Sequence, residues 1–240
     1  MLSSKNSGVN SNKTMFIGHF AVAFAVKRAA PRTSLGVTFA AAQLVDMLWP
    51  IFLLLGWEQV RIAPNANPFL TLEFTSYPWT HSLMMGLVWG MLFGGLYFAV
   101  THYKRGAIVV ALLVPSHWVL DAVVHQPDLP LYPGGAARIG LGLWSSPQAA
   151  IVVEAILFLA GITAYATATQ ARDRIGRFGL LGLAAFLVLL YVASIVGPPP
   201  PNVTVLAWTA LIGWPLTLWP WWVDRHRDSG VQRGDLTDLA

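Results

Sequence analysis

His117, Asp121 and His125 stand four residues apart in the stretch Ser116-His117-Trp118-Val119-Leu120-Asp121-Ala122-Val123-Val124-His125. On a helix they stack along one face. Two imidazoles and a carboxylate on one face are a common set of metal ligands, and the same groups can carry a proton path. The run from Gly106 to Val124 is otherwise apolar enough to cross a bilayer. Ionisable groups inside such a helix are costly to bury and mark a functional site.

The composition says what kind of element must position them. Of 240 residues, 55% are hydrophobic and 11% charged, with a mean hydropathy of +0.58. A soluble domain carries about 25% charged residues, so the chain reads as an integral membrane protein. It has no cysteine, so a metal must be held by His, Asp or Glu. The pI near 9.6 comes from short basic clusters between apolar runs. That is the pattern of membrane topology, and it excludes a nucleic-acid-binding face.

Spans of roughly 17–25 apolar residues are expected for crossing. Six are read: Ser34–Leu55, Leu83–Val100, Gly106–Val124, Gln148–Thr167, Phe178–Val196 and Val203–Trp222. A shorter stretch, Met15–Val26, precedes them as a half-inserted or interfacial helix. The expected fold is therefore an all-α polytopic bundle over residues 15–224. A Ser/Asn-rich disordered tail over 1–14 precedes it, and a cytoplasmic tail over 225–240 follows.

Basic residues lie at Lys27, Arg28 and Arg32, at Lys104 and Arg105, at Arg172, Arg174 and Arg177, and at Arg225, Arg227 and Arg233. They fall in alternate loops, while the opposite loops hold Arg61 and Arg138 alone. The positive-inside rule makes the basic loops cytoplasmic and places the chain in the inner membrane with its C-terminus inside.

At 1.5 Å per residue, His117 lies about 16 Å in from the cytoplasmic start of its span, Asp121 about 22 Å, and His125 near the outer rim. Asp46 lies about 18 Å in, His81 at the outer mouth of its span, and Glu154 about 9 Å below the outer surface. His19, on the short helix, reaches the midplane. The first six share the outer half of the membrane and read as one site, with His19 able to reach its floor. Other polar residues read as ordinary. His102 and His226 are solvated interfacial groups, and Glu58 and Glu73 are surface acids of the outer loop. Trp57, Trp79 and Trp144 form an aromatic belt, residues 134–146 a loose outer loop, and Pro198–Pro201 a stiff outer turn.

The ordered set Gly18-His19, Asp46 before Trp49-Pro50, Thr80-His81-Ser82 and Ser116-His117-x-x-Leu120-Asp121 resembles the YdjM-like family of membrane-bound metal-dependent hydrolases, over residues 15 to 125. The order of ligands is also similar to that of the zinc-dependent phospholipase C and single-strand nuclease group. The resemblance implies a metal shell of His19, Asp46, His81, His117, Asp121, His125 and Glu154, holding one or two divalent metal ions.

A sulfur-free N/O donor set suits zinc, manganese or iron; zinc is the first expectation. Zinc lowers the pKa of a bound water toward neutrality and supplies a nucleophile. Asp46 or Glu154 is the expected general base. The outer-leaflet location makes a membrane lipid, its head group or another phosphoester the expected substrate. There is no Gly-x-Ser-x-Gly elbow, His-Glu-x-x-His or phosphate-binding Gly-x-x-x-x-Gly-Lys loop, which removes support for serine-hydrolase, zincin and nucleotide-hydrolase chemistry. Two other classes stay open: a metal-ion or proton-coupled transporter, and a silent scaffold with a structural metal.

Overall fold

The structure, a computed structural model, describes residues 17–63 and 71–229. The expected tail over 1–14 and the residues beyond 229 lie outside it. The chain folds mostly into helices: α1 (Ile17–Ala25), α2 (Leu35–Ala42), α3 (Leu44–Leu54), α4 (Pro78–His81), α5 (Leu83–Thr101), α6 (Lys104–Val124), α7 (Pro147–Ala168), α8 (Arg174–Val196), α9 (Val203–Ala210), α10 (Gly213–Leu216) and α11 (Leu218–Arg225). Three two-stranded antiparallel ribbons join them. They pair β1 (Gln59–Ile62) with β2 (Leu72–Ser76), β3 (Leu129–Pro130) with β4 (Arg138–Ile139), and β5 (Thr169–Ala171) with β6 (Arg227–Ser229).

Among the described residues, five helical stretches are long and apolar enough to cross a membrane, counting Val203–Arg225 as one. A sixth appears when α2 and α3, bent by 52°, are taken together. Long rows of exposed apolar side chains, such as Met91, Leu92 and Leu96 on α5 and Leu181, Val188 and Leu189 on α8, suit hydrocarbon surroundings and would be a liability in water. Side-chain oxygens start several helices by accepting a backbone N–H three residues on: Ser34 from Val37, Ser82 from Met85, Asp173 from Gly176 and Asn202 from Val205.

Small residues set the closest helix contacts. A Cβ on Gly90 would sit 2.4 Å from the Ala111 carbonyl oxygen, so only glycine lets α5 approach α6 this closely. Gly161 plays the same part on α7, where a Cβ would fall 2.4 Å from the Ala21 oxygen of α1. Seven of the nine residues of α1 are buried, in contact with α2, α6 and α7. A helix lying flat at an interface keeps one face open; α1 does not, because its neighbours enclose it.

Two segments outside the long helices are ordered. The predicted tail begins with an ordered strand, since β6 pairs with β5 and Arg227 donates to Thr169 and to the Gly176 carbonyl. Residues 134–146 are not a loose loop. Leu141 N donates to the Ala122 carbonyl and Gly142 N to that of His125, which seats Trp144 in a buried position. Trp144 therefore leaves the aromatic belt, while Trp57 and Trp79 remain exposed.

At the end of the bundle bearing the basic loops, a polar clamp closes the fold. Asp224 of α11 accepts from Lys27 Nζ at 2.6 Å, Tyr165 OH at 2.6 Å and Leu35 N at 3.1 Å. Lys27 also donates to the Thr33 carbonyl.

Candidate metal centre

The break between α2 and α3 is the first device that builds the site. Gln43 leaves the helical path there, with φ −109° and ψ 7°. The last carbonyls of α2 lose their helical partners at such an end. One of them, Ala42 O, accepts from His117 Nδ1 at 2.8 Å. A carbonyl can only accept, so Nδ1 carries a proton, and in the neutral ring Nε2 turns its lone pair toward the interior. Asp46 follows in the first turn of α3, where the amide ends of the helix favour a carboxylate.

The second device is a relay of two groups, Thr80 and Glu58, behind His81. Glu58 Oε1 accepts from Trp79 N and Thr80 N, both at 2.8 Å, capping the short α4, and Oε2 accepts from Thr80 Oγ1 at 2.7 Å. Thr80 Oγ1 lies 2.7 Å from His81 Nδ1. With its proton given to Glu58, the hydroxyl accepts from Nδ1–H and leaves His81 Nε2 as a lone-pair donor 3.1 Å from Asp46 Oδ1. Glu58 is thus a buried positioning group, at 2% exposure, and not the surface acid expected. Burial pushes its carboxyl above the ordinary glutamate range, against which the nearby His81 and the Thr80 and Trp79 donors act. Glu73 does behave as a surface acid, paired with Arg61.

His117 joins the two halves of the cluster. Its Nε2 lies 3.3 Å from Asp121 Oδ2 and 3.6 Å from Asp46 Oδ1. His19 stacks on the His117 ring with centroids 3.8 Å apart, and its Nε2 lies 3.3 Å from Asp121 Oδ1. His19, His117 and Asp121 offer donor atoms within 4.8 Å of one another, as do Asp46, His81 and His117. A tetrahedral ion with bonds of about 2.0–2.1 Å separates its donors by about 3.3–3.4 Å. Three of the four imidazole–carboxylate distances exceed the usual 2.7–3.2 Å of an N–H···O bond and bracket that edge.

Satisfaction of the polar atoms points the same way. Among the described residues, Asp121 Oδ2 and His19 Nδ1 are buried without a hydrogen-bond partner. Two carboxylates converge with the Nε2 atoms of His81 and His117, while His19 Nε2 donates to the His117 carbonyl at 3.4 Å and leaves its Nδ1 unpartnered, so acceptors outnumber protons in the pocket. Buried acceptors left facing one another are costly, and a cation between them removes the cost. The donor set fits a divalent transition metal on that ground.

The remaining expected ligands lie elsewhere. His125 is at the rim, outside both triads; its Nδ1 donates to Asp128 Oδ1 at 3.0 Å and its ring packs 4.3 Å from that of Trp144. Tyr77 OH donates to the same Asp128 oxygen. Glu154, fully buried on α7, accepts from Ile17 N at the start of α1 and does not line the cavity beside the cluster. It serves α1 there, which separates it from the predicted shell. Asp128 has no role in the sequence reading, and Glu58 is read there as a surface acid. The only available signal for Asp128 is its spacing of three from His125; Glu58 carries none.

The cluster opens into a cavity of about 400 Å³. His19, Asp46, His81, His117, Asp121 and His125 line its polar end, and Leu72 and Phe74 of β2 cover it together with Trp144. The two carboxylates differ in access: the Asp46 side chain is 40% exposed and that of Asp121 6%. Fold and site together define a multi-pass helical bundle with a buried His/Asp centre. In comparison with known proteins, the chain matches no family model, no curated protein and no solved structure.

Proposed function

We propose that this chain is an inner-membrane metalloprotein that hydrolyses a phosphoester of a membrane lipid, head group included. In this reading six segments span the bilayer, α1 is half-inserted among them, and the C-terminus is cytoplasmic. The observation that carries the metal is the convergence of Asp46 and Asp121 on imidazoles whose Nδ1 positions are already committed to Ala42 O and Thr80. The motif order Gly18-His19, Asp46, Thr80-His81-Ser82 and Ser116-His117-x-x-Leu120-Asp121 supports the same reading through its likeness to YdjM-like hydrolases.

His19, His117 and Asp121 would hold the ion, with Asp46 and His81, the second triad that shares His117, beside it. A divalent transition metal, zinc foremost, supplies Lewis acidity that polarises a phosphoryl oxygen and makes water acidic enough to attack near neutral pH. Asp46, the carboxylate open to the cavity, takes the proton of the attacking water. His81, held by Thr80 and Glu58, keeps its Nε2 3.1 Å from Asp46 Oδ1, so that both would face the same cation. Asp121, closed off at the floor, stays an anionic anchor between His19 and His117. Trp144, Phe74 and Leu72 screen this end from bulk water, which strengthens each electrostatic contact.

Metal analysis of detergent-purified protein is the test. Wild type should carry transition metal in whole-number stoichiometry, and His117→Ala and Asp121→Asn should lose it together with phosphodiester turnover on a lipid panel. Metal retained in both variants would end the proposal. One observation favours a second reading: both broken helical stretches, α2–α3 and α9–α11, border the cavity, an arrangement used by ion-coupled transporters. Metal-dependent flux into liposomes without turnover would select it.

Because the chain has no cysteine, single-cysteine variants report topology directly. A cysteine at Arg172 should be labelled by an impermeant maleimide only after the cytoplasmic face is opened, and one at Glu73 in intact cells.

A further inference from the structure

The cavity does not end at the metal ligands. From the His/Asp end it continues between α8 and the interrupted last span, where Leu190, Leu206, Ala210, Ile212 and Leu216 line it. This arm is apolar. A water molecule is held in a protein by two to four polar partners, and walls that are mostly aliphatic offer too few. An occupant that suits the whole cavity is therefore amphiphilic, with an anionic or ester-bearing end toward the cluster and hydrocarbon in the arm.

The route of entry follows from exposure. Ile212 lines the arm and is also 55% exposed. Trp208 and Leu218, on the same span, are 62% and 63% exposed. The mouth thus lies on a surface that faces hydrocarbon in a membrane-spanning chain, and a lipid tail can reach it sideways from the bilayer. The cavity volume of about 400 Å³ falls within the roughly 300–1,000 Å³ usual for small-molecule sites.

The helix break keeps the arm open. Trp214 Nε1 donates to the Met47 carbonyl at 2.9 Å, fastening α10 to α3. Beside it, Gly213 presents no side chain; a Cβ there would meet only Met47 Cγ, at an ordinary 3.7 Å. A larger residue at Gly213 can thus grow into the arm without striking backbone.

We infer that the apolar arm between α8 and α9–α10 binds one acyl chain of a phospholipid entering laterally, with the head-group linkage delivered to the His/Asp end. The inference rests on the hydrolase reading for what happens at that end, but not for binding.

The probe is a palmitoyl-oleoyl phosphatidylglycerol added to detergent-purified protein and followed by native mass spectrometry, with activation set to strip annular lipid. Wild type should retain one equivalent. Gly213→Phe should weaken retention at least about tenfold, the equivalent of denying burial to about two methylenes, while keeping the wild-type metal content. Gly95→Phe makes the same chemical change on the open face of α5, where a Cβ meets nothing within 4 Å, and should retain the lipid as wild type does. If Gly213→Phe fails to fold, Leu206→Trp fills the same arm and decides. Glycerophosphoglycerol, the chainless head group, should not be retained. Retention by Gly213→Phe or Leu206→Trp at wild-type level, equal loss in Gly95→Phe, or no retention by wild type would overturn the inference. Metal content, measured beside lipid retention in wild type and Asp121→Asn, separates the two proposals. Lipid retained there with metal absent in every protein, wild type included, sinks the hydrolase and leaves the arm standing.

Discussion

The bundle buries two polar clusters, one at each end, and they are built on opposite principles. At the basic end, Asp224 meets Lys27, Tyr165 and the Leu35 amide, so one negative and one positive charge are matched and their hydrogen bonds made. At the other end, Asp46 and Asp121 face His19, His81 and His117, with Asp121 Oδ2 and His19 Nδ1 unpartnered. A closed network rigidifies a fold, and a buried network left open to one side is built to receive something. The difference teaches that burial and charge do not separate structural from functional groups. The count of donors against acceptors does.

Breaking the closed cluster should have the largest effect on stability. Asp224→Ala strands Lys27 in a buried site and should cost about 3–5 kcal/mol, whereas the double replacement Lys27→Met/Asp224→Leu should recover most of it. Thermal denaturation in detergent measures both, and the surviving folded fraction should keep its metal. Asp121→Asn should do the reverse, losing the metal while the metal-free protein is no less stable than metal-free wild type. If Asp224→Ala also released metal, the two ends would not be independent.

A subtler break sharpens the open cluster. Thr80→Val removes the hydroxyl between Glu58 and His81 without changing shape. It should weaken metal affinity by about 10–100-fold, the usual price of losing a group that orients a ligand. Thr80→Ser should restore it, and the melting temperature should fall in Thr80→Val alone, where Glu58 Oε2 loses its donor. Metal titration by competing chelator gives the answer. Equal behaviour of Val and Ser would remove the relay from the site.

The smallest effect belongs to the basic surface beside the closed cluster. Asp173 accepts from Gly176 N at 2.8 Å and from His226 Nδ1 at 2.6 Å, and these bonds hold its carboxyl below the ordinary aspartate range. A depressed folded value means the ionised form favours folding. Its contribution is complete above about pH 4 and fades as pH falls through the folded value. Asp173→Ala should lower the melting temperature slightly at pH 7, with the gap to wild type closing in acid. A gap that stayed constant to low pH would assign the loss to something other than this ionised cap.

The long apolar runs were legible in the sequence because hydrocarbon asks only for length and composition; five of the six expected spans correspond to helices or helical stretches of crossing length. The stacked triplet on α6 was legible because helical periodicity is local. His19, Asp46 and His81 could be gathered into one depth from topology. What the sequence could not state is how each helix is rotated and where it breaks. The α2–α3 break at Gln43 frees the Ala42 carbonyl for His117, yet no glycine or proline stands at that position to announce it. Glu58 was unreadable for the same reason. An acid near a span end is ordinary until α4 brings the Trp79 and Thr80 amides onto it. Glu154, at a suitable depth, turned instead toward α1, since depth along one axis leaves direction around the helix undetermined. Residue type and spacing thus settled that this chain places imidazoles and carboxylates inside an apolar bundle. Packing alone decided which of their lone pairs meet, because hydrogen-bond direction depends on neighbours far apart in the chain.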